Sequence, residues 1–397
     1  MSKIDKLTNE LCPEGVPWRP LGEITKRNKG TNITAGKMKL INSPDGTIRV
    51  FAGGNTVANV HPGDVPDRDI ITLPSIIVKS RGYIGFEFYE KPFTHKNELW
   101  SYSIDHPEFH QKFIYYFLIT QQQRLQKLAR ATSVKIPQLS VGDTDKLQVP
   151  VPPLEVQEEI VRILDTFTEL EAELEAELEA RRKQYEFYRD LSFTFDDTVK
   201  VLPLGELASL VRGNGMPKVD LTEDGIGAIH YGQIYTKYKS HTSSTISFVK
   251  PETALKLTKV DPGDLIITNT SENFEDVCKA VAWLGNDQIV TGGHATVIKH
   301  QQNPRYLTYW FQSRFFQSQK RAHATGTKVI DISASRLLKI KVPLPPIERQ
   351  NEIADFLDSF EAIVNDISIG LPAELNARRK QYEYYRNKLL TFERKST

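Results

Sequence analysis

Cysteine is scarce in this sequence. Among 397 residues there are only two, Cys12 and Cys278, and they lie far apart. This scarcity excludes a disulfide scaffold and a cysteine-rich zinc site, and it fits a reducing compartment. The longest apolar run, residues 113–119, is far shorter than the roughly 20 residues of a membrane-spanning helix. Residues 1–18 mix charges and contain no apolar signal core. We therefore expect a soluble, cytoplasmic protein.

An excess of charge of one sign is also missing, because 51 Lys and Arg balance 50 Asp and Glu. The charge is nevertheless uneven along the chain. Residues 155–180 contain ten carboxylates and one arginine, whereas residues 1–149 and residues 201–342 each carry a net charge of +5. This partition suits a protein whose globular parts bind phosphates. A net charge of +5 also occurs in proteins that never bind nucleic acid, so charge alone does not decide the function.

The common catalytic motifs are absent as well. Residues 30–38 approach a phosphate-binding P-loop but have one residue too many between the glycines and no Ser or Thr after the lysine. Residues 303–306 read Asn-Pro-Arg-Tyr instead of the Asn-Pro-Pro-Tyr of adenine methyltransferases. The acidic-x-Lys triplet of metal-dependent nucleases occurs only at residues 393–395, beside the end of the sequence. No two histidines have the spacing of zinc ligands on one helix. We therefore predict recognition and not catalysis, without a metal site.

The chain contains a long internal repeat. After a shift of 193 residues, 16 of the 37 positions in residues 131–167 are identical in residues 324–360. After a shift of 197 residues, nine of the ten positions in residues 180–189 are identical in residues 377–386. Matches of this length do not arise by chance, so we infer two copies of one ancestral unit.

Each copy combines a variable part with a conserved tail. Residues 20–24 resemble residues 203–207 and mark the same start in both copies. Between this start and the tail, residues 25–130 and residues 208–323 share little identity. The sequence therefore predicts two globular parts that differ in sequence and are each followed by the same kind of tail.

Both tails are predicted to be long helices. Each begins after a pair of prolines and then has apolar residues three or four positions apart, the spacing of a buried stripe. No proline or glycine interrupts residues 154–190, a length of roughly 55 Å at about 1.5 Å per residue. The second tail contains Gly370 and Pro372, which predict a kink or short break. Two such stripes most simply bury each other; the alternative is two surface helices on separate cores.

A four-residue unit, Leu-Glu-Ala-Glu, occurs nearly three times in residues 170–180. The second tail is four residues longer between its two conserved blocks, since the shifts of 193 and 197 differ by four. Four residues change the length of a helix by about 6 Å and roughly one turn, so such units lengthen a helix while nearly keeping its face. We predict that this segment is a spacer.

Each globular part is predicted to contain short strands and one amphipathic helix. The β-rich runs are residues 47–51, 70–73, 75–79 and 99–104 in the first part and residues 244–248, 264–268, 280–283 and 295–298 in the second. The helices are residues 107–130 and residues 304–324. Their equivalent aromatic residues are predicted to lie in the core: Phe113, Tyr116, Phe117, Tyr306, Tyr309 and Trp310. We therefore expect α+β globes with curved β-sheets.

Together these features resemble one known family. Each tail starts with Val-Pro-x-Pro-Pro-x-Glu-x-Gln-x-Glu-Ile and ends with Arg-Arg-Lys-Gln-Tyr, and this pattern resembles the DNA specificity subunit of Type I restriction–modification systems. The resemblance implies two target-recognition globes separated by two long antiparallel coiled-coil helices, with a pseudo-two-fold internal repeat. The predicted domains are residues 1–150 and 196–343 for the globes and residues 151–195 and 344–397 for the spacer helices.

The same resemblance implies that each globe reads one half of a bipartite, asymmetric site in double-stranded DNA. It also implies two copies of a methyltransferase subunit as partners, which bind S-adenosylmethionine. Restriction or translocase subunits, which need ATP and magnesium, would join them for cleavage. This chain itself is expected to hold no cofactor, to catalyse no reaction and to bind no membrane.

Candidate site residues fall into two groups. The candidates for DNA binding are basic and polar side chains near glycine-opened loops: Lys26, Arg27, Lys29, Lys79, Arg81, Lys135, Arg212, Asn214, Lys218, Tyr231, Gln233, Tyr235 and Lys328. Lys135 and Lys328 occupy the same position of the two copies, which favours a shared phosphate contact. The candidates for partner binding lie in the near-identical blocks: Arg181, Arg182, Gln184, Tyr185, Tyr188, Arg378, Arg379, Gln381, Tyr382 and Tyr385.

Two other functions stay open on the sequence alone. One is a methyltransferase or nuclease that acts without partners, and the other is a rod-linked scaffold that binds only proteins. Modification of DNA by the purified chain would favour the first. A lack of DNA affinity at low salt would favour the second.

Overall fold

The computed structural model describes residues 3–131, 135–326, 328–365 and 370–395. The chain divides into two units. The first unit comprises Met1–Glu173 and Leu375–Thr397, and the second comprises Leu174–Glu374. Each unit therefore contains one globular part and segments of both tails. Within the described ranges, no helix has the length and apolar composition needed to cross a membrane.

The first unit is built on two main sheets. Its strands are β1 (Trp18–Pro20), β2 (Lys26–Asn28), β3 (Ile48–Phe51), β4 (Val57–Val60), β5 (Ser75–Lys79), β6 (Gly85–Tyr89), β7 (Phe93–His95), β8 (Trp100–Ser103) and β9 (Gln148–Pro150). Its helices are α1 (Lys3–Leu11), α2 (Leu21–Ile24), α3 (Ala35–Ile41), α4 (Gln111–Ala131) and α5 (Val141–Asp145), with a 3-10 turn at Asp67–Asp69. The sheets have the orders β2-β8-β5-β6 and β4-β3-β7, and β1 pairs with β9. Helix α4 packs on β5 and β6.

Two helices are shared between the units. Helix α6 (Leu154–Leu191) begins in the first unit and ends in the second. Helix α14 (Gly370–Leu389) begins in the second unit and ends in the first.

The second unit also has two main sheets. Its strands are β10 (Lys200–Pro203), β11 (Ala208–Arg212), β12 (Ile226–Ile229), β13 (His241–Thr242), β14 (Ser247–Val249), β15 (Thr258–Val260), β16 (Leu265–Thr268), β17 (Thr270–Ser271), β18 (Ala280–Trp283), β19 (Ile289–Thr291), β20 (Ala295–His300), β21 (Ile330–Asp331) and β22 (Lys341–Leu344). Its own helices are α7 (Leu204–Leu207), α8 (Tyr231–Thr236), α9 (Pro251–Ala254), α10 (Pro304–Gln312), α11 (Arg314–His323), α12 (Ala334–Leu337) and α13 (Ile347–Asn365), with a 3-10 turn at Lys218–Asp220. The sheets have the orders β11-β20-β16-β18-β13 and β14-β12-β19-β15, and β10 pairs with β22.

The two globular parts share one strand order although their sequences differ. The order β11-β20-β16-β18 in the second unit corresponds to β2-β8-β5-β6 in the first, and β14-β12-β19 corresponds to β4-β3-β7. The smaller sheet of each unit contains the same parallel pairing, β3 with β7 and β12 with β19. The second unit adds one edge strand to each sheet, β13 and β15. The predicted α+β class with two repeated globes is therefore confirmed.

Two strand predictions need correction. The strand predicted at residues 70–73 is wrong, because Ile71 forms only an isolated bridge with Phe93. A 3-10 turn precedes this segment and Pro74 follows it; proline has no N–H to continue a ladder. The strand predicted at residues 244–248 begins only at Ser247.

The helix predicted at residues 304–324 is also wrong, because it is two helices. Ser313 adopts an extended conformation with φ −67° and ψ 154°, so α10 ends before it. Its hydroxyl then accepts a hydrogen bond from the N–H of Phe316 and caps α11. The aromatic residues predicted to lie in the core are buried: Phe113, Tyr116, Phe117, Tyr306, Tyr309 and Trp310.

The two tails differ in continuity as the sequence predicts. The first tail is the uninterrupted helix α6. In the second tail, α13 ends at Asn365 and α14 begins at Gly370, whose φ is 76°. The break predicted near Gly370 and Pro372 is therefore confirmed, and glycine suits it because it tolerates a positive φ.

In the first unit, segments of α6 and α14 pack against each other. The ring of Phe167 stacks on Tyr385 with centroids 5.6 Å apart. Arg379 donates a hydrogen bond to Glu171 at 2.7 Å. Because the contact at the later α6 residue uses the earlier α14 residue, the two segments run antiparallel.

In the second unit, α6 packs in the same way against α13. Tyr185 lies 5.8 Å from Phe360, and Tyr188 lies 6.1 Å from Phe356, both edge to face. This pairing is again antiparallel. The apolar stripes of the tails therefore bury each other within each unit, as predicted.

One glutamine of each tail holds the adjacent globular part. Gln157 accepts a hydrogen bond from the backbone N–H of His110 at 2.8 Å and donates one to the carbonyl of Pro152 at 2.7 Å. Gln350, 193 residues later, accepts from the N–H of Asn303 at 3.1 Å and donates to a proline carbonyl at 2.9 Å. Both glutamines are buried. The two copies therefore have a glutamine at this position because it makes the same contacts in both.

One aspartate of each tail adds a second link to the globular part. Asp165 accepts hydrogen bonds from the hydroxyl of Tyr116 at 2.6 Å and from Lys112 at 2.9 Å. Asp358 accepts equivalent bonds from the hydroxyl of Tyr309, at 2.5 Å, and from Arg305. These contacts fix α4 and α10 on the adjacent tails.

The buried glutamine link is open to a direct test. We expect Gln350→Leu to lower the free energy of unfolding by about 1–3 kcal/mol, because the N–H of Asn303 loses its acceptor in a buried place. Denaturation in urea measures this change. The exposed Gln123→Leu is the control and should alter stability by less than about 0.5 kcal/mol. Equal stability of the two variants would contradict the assigned contact.

Candidate nucleic-acid interface

Three segments of the second unit meet around an open cavity of about 520 Å³. They are the loop at residues 213–218, the N-terminus of α8 and the turn at residues 292–294. The N–H of Gly293 donates to the carbonyl of Gly215 at 2.7 Å and joins loop and turn. Gly215 and Met216 both adopt a positive φ, which is rare for methionine. Tight backbone turns thus shape the cavity.

Tyr231 lines this cavity. Its ring centroid is 4.4 Å from that of His230 and 5.0 Å from that of His294. Lys218 lines the same cavity. Aromatic rings offer faces on which bases stack, and a lysine offers a charge to a phosphate. The structure therefore brings together two predicted residues, Lys218 and Tyr231, with His294, which is not among the residues predicted to bind DNA.

The pKa of His230 is lowered. Its burial is the largest cause, and the electrostatic influence of the neighbouring Lys218 and His294 lowers this pKa further. The neutral ring accepts a hydrogen bond from the N–H of Gly232 through Nδ1 at 3.1 Å. This bond caps α8 and fixes the adjacent Tyr231.

Protonation of His230 should therefore weaken the second globe. A folded-state pKa below the ordinary value of about 6.5 gives a stabilisation that is present above that pH and lost as the pH falls through the folded pKa. His230→Asn keeps a capping acceptor that does not titrate. We expect the free energy of unfolding of the wild type to fall more between about pH 7.5 and about pH 5 than that of the variant. Urea denaturation at both values measures this, and an identical pH dependence would contradict it.

A short β-ladder links the segment that contains Lys328 to the residues that line this cavity. Thr270, in the strand after β16, pairs with Asp331. The Thr270 carbonyl accepts from the hydroxyl of Tyr235 at 2.5 Å, and its Oγ1 lies 3.1 Å from Nδ1 of His294. Lys328 is exposed three residues before Asp331. Its segment is thus tied to the loops around Tyr231.

The first unit contains the equivalent ladder. Arg81, in the loop after β5, pairs with Gln138, which lies 193 residues before the Asp331 of the second ladder. The N–H of Leu139 donates to the carbonyl of Ser80 at 2.9 Å. Lys135 is exposed three residues before Gln138. The matched lysines of the two copies therefore occupy matched structural positions.

Some predicted DNA-binding side chains already have partners. Arg27 pairs with Asp145 and Lys79 with Glu87, each at 2.8 Å. Gln233 donates to Ser247 at 2.6 Å. The hydroxyl of Tyr235 donates to the carbonyl of Thr270. Among the described residues, the predicted side chains without an ion pair or side-chain hydrogen bond are Lys26, Lys29, Arg81, Lys135, Arg212, Asn214, Lys218, Tyr231 and Lys328.

The near-identical blocks predicted for partner binding divide into buried and exposed members. Tyr185 is 5% exposed against Phe360 and packs the helices together. Tyr382 and Gln184 are half-buried, as is Arg378. The exposed members are Arg181, Arg182, Tyr188, Arg379, Gln381 and Tyr385. A partner could therefore contact the exposed face of each block.

Phe187 and Tyr384 are absent from the residues predicted for partner binding. They are 63% and 62% exposed and lie 197 residues apart, at the single differing position of the two blocks. Large aromatic residues exposed at matched positions mark a surface for a partner. The signal was present in the sequence, because this one substitution keeps the aromatic ring.

Two residues of the nuclease-like triplet at residues 393–395 make structural contacts. Lys395 pairs with Glu14 at 3.7 Å, and the guanidinium of Arg394 lies 5.2 Å from the ring centroid of Trp18. Among the residues the structure describes, no group of three or more His, Cys, Asp or Glu side chains could hold a metal ion.

Comparison with known proteins gives consistent matches. The family model of the Type I restriction modification DNA specificity domain matches residues 13–180 and again residues 196–377. The Type I restriction enzyme EcoR124I/EcoR124II specificity subunit of Escherichia coli is 29% identical to this chain. The alignment covers 100% of this chain and 99% of that relative.

Two solved structures share the fold. The S subunit of a Type I restriction–modification system from M. genitalium has a TM-score of 0.55 at 17% identity, covering 95% of this chain and 96% of that one. A chain from a structural study of complex assembly and conformational transition in the type I R-M system has a TM-score of 0.59 at 14% identity, covering 96% and 98%.

Proposed function

Because the chain belongs to the Type I restriction modification DNA specificity family, we propose that it is the subunit that selects the DNA sequence in a Type I restriction–modification complex. Each globular part reads one half of a bipartite, asymmetric site in double-stranded DNA. The chain itself neither cuts nor methylates DNA, in keeping with a relative that is named as a specificity subunit.

The observation that carries this proposal is one fold used twice with different loops. Lys135 and Lys328 occupy matched positions beside matched ladders, which suits a phosphate contact that each globe makes in the same way. The cavity around Tyr231 is lined by residues that differ between the copies. Phosphate contacts position a protein on DNA and base contacts specify the sequence. The shared lysines and the unshared loops fit these two tasks.

The partners follow from the conserved blocks. One methyltransferase subunit docks on the exposed face of each block, which gives two copies in the complex. These subunits bind S-adenosylmethionine, and the restriction or translocase subunits bind ATP and magnesium. We place the assembly in the cytoplasm, in keeping with the scarcity of cysteine in this chain.

Reconstitution with the methyltransferase subunit tests the proposal. The complex should bind duplexes that contain its site about 1000-fold or more tighter than random duplexes. The logarithm of the affinity should fall linearly with the logarithm of the salt concentration. Binding of proteins without measurable DNA affinity at low salt would leave the scaffold function instead.

A second experiment uses the purified chain without its partners. Incubated with DNA, magnesium and labelled S-adenosylmethionine, it should give neither a labelled nor a cleaved product. A labelled product would identify an enzyme that acts alone and would refute the proposal.

The matched lysines predict a specific loss. We expect Lys135→Ala combined with Lys328→Ala to reduce the slope of log affinity against log salt by about 1.8, since each lost phosphate contact removes about 0.9. The preferred sequence should not change, because phosphate contacts carry no base information. Salt titration of the complex measures the slope. Lys91→Ala with Lys250→Ala, two exposed lysines outside the ladders, is the control, and an equal slope change there would contradict the assignment.

A further inference from the structure

A second open cavity, also of about 520 Å³, lies in the second unit just beyond the end of α6. It is lined by Phe193 and Phe195, which follow α6, by Trp310 of α10 and by Phe315 of α11. Trp310 is fully buried, and its indole N–H has no hydrogen-bond partner among the described residues. The cavity is thus lined by aromatic rings, and one buried N–H of its lining lacks a hydrogen bond among the described residues. The function proposed above makes no use of it.

The equivalent place in the first unit is occupied by an aromatic side chain. Trp18 lies edge to face on Phe117, with ring centroids 5.8 Å apart. Phe117 corresponds to Trp310 at the shift of 193 residues. A tryptophan of the chain therefore fills, in the first copy, the space that remains open in the second.

The strand register explains this difference. Trp18 pairs with Pro150 in the sheet of β1 and β9, and Val201 pairs with Pro343 in the sheet of β10 and β22. The two prolines are also 193 residues apart, so Trp18 and Val201 occupy the same structural position. Valine has no ring to reach across the cavity, and Val201 is 53% exposed at its edge.

The charges differ in a complementary way. In the first unit the guanidinium of Arg394 lies 5.2 Å from the ring centroid of Trp18. The residue equivalent to Arg394 at the shift of 197 is Asp197. Asp196, Asp197 and Lys341 line the open cavity and leave a net charge of −1. A cation that covers the ring in the first copy is thus replaced by carboxylates in the second.

We propose that this cavity receives an aromatic side chain with a basic residue beside it, both presented by the methyltransferase subunit that docks on the second copy. The inference rests on the function proposed above. The ring takes the place that Trp18 takes in the first unit, and the basic residue pairs with Asp196 and Asp197. Buried aromatic and arginine side chains are the usual anchors of such interfaces. Exposed Phe187 lies six residues before Phe193 in the same unit, so helix face and cavity suit one docking partner.

Filling the cavity from within tests this inference. Val201→Trp in the full-length chain restores the arrangement of the first copy and leaves no room for a second ring. We expect it to weaken the binding of one of the two methyltransferase copies by about 30-fold or more, the effect of losing one interface anchor, without loss of stability in urea. Val219→Trp, at a position of the same globe that is 86% exposed, is the control and should bind both copies like the wild type. Sedimentation velocity with the purified methyltransferase subunit counts the bound copies.

A second variant leaves the cavity interior untouched. Asp196→Lys combined with Asp197→Lys places two positive charges at the cavity, where they repel the basic residue of the partner. We expect the same single copy to bind more weakly, and more so at low salt than at high salt. This variant keeps the test decisive if Val201→Trp does not fold.

The outcomes are distinguishable from failure of the proposed function. If the wild-type chain assembles and methylates its site while Val201→Trp and the lysine variant bind both copies equally well, the cavity is not a docking site. If the wild type self-associates and Val201→Trp abolishes that, the occupant is a second copy of this chain and the inference is overturned. If the wild type binds no methyltransferase subunit at all, the proposed function itself fails.

Discussion

Replacing Phe187 and Tyr384 together with alanine is expected to weaken the binding of each methyltransferase copy about 30-fold while leaving the folding of this chain intact. Each ring is more than half exposed, so its loss should change stability by less than about 0.5 kcal/mol. Each is placed as an interface anchor, whose removal typically costs about 2 kcal/mol of binding free energy. Two such losses weaken the binding of both copies together by roughly 1000-fold.

Isothermal titration with the purified methyltransferase subunit measures this loss. Glu186→Ala combined with Glu383→Ala is the matched control, since these exposed neighbours precede Phe187 and Tyr384 in the same blocks. It should bind nearly as well as the wild type. Undiminished binding of the aromatic double variant would show that the exposed rings are not the docking surface. The comparison requires that the aromatic double variant is folded, which is shown if it unfolds at the same urea concentration as the wild type.

Deleting one Leu-Glu-Ala-Glu unit, residues 174–177, is expected to abolish modification of the wild-type site and to create a new one. The deletion shortens α6 by about 6 Å and rotates the remainder of the helix by little more than one turn. Projected from a tilted helix onto a duplex with about 3.4 Å per base pair, this shortens the preferred gap by roughly one base pair. Both half-sites should persist, because the loops around Tyr231 and the matched ladders remain unchanged.

Sequencing of methylated bases in a host that carries the deletion, beside its wild-type counterpart, measures gap and half-sites together. Glu175→Gln combined with Glu177→Gln keeps the helix length while removing two charges of the same unit, and it should leave the gap unchanged. A deletion variant with altered half-sites and an unaltered gap would refute the spacer function.

The features that depend on local chemistry could be predicted from the sequence. The continuous helix α6 follows from its apolar spacing and its lack of proline and glycine, and the break before α14 follows from Gly370 and Pro372. The break at Ser313 was missed because a serine inside an amphipathic pattern is compatible with a helix. Only its extended backbone and its bond to Phe316 make it a cap. The strand predicted near Ile71 was wrong for a different reason. A β-rich composition does not guarantee that a segment finds a strand to pair with.

The candidate site shows the same limit. Lys218 and Tyr231 could be selected because each lies near glycines in a polar loop. His294 also follows two glycines, but it was not selected, because its contact with Tyr231 joins segments that are far apart in the sequence. The repeat likewise revealed that a glutamine is shared, at Gln157 and its mate. Its function as a link between tail and globe depends on tertiary contacts that no local pattern contains.

Whether each globe reads its own half-site is decided by methylome sequencing of a host that carries the intact system and of a second host in which residues 204–340 come from a relative. For the wild type we predict one asymmetric motif with two specific halves and a fixed unspecified gap. The exchange should replace one half and leave the other half and the gap as they were. A single continuous motif, or an exchange that changes both halves or neither, would contradict the division of DNA recognition between the two globes.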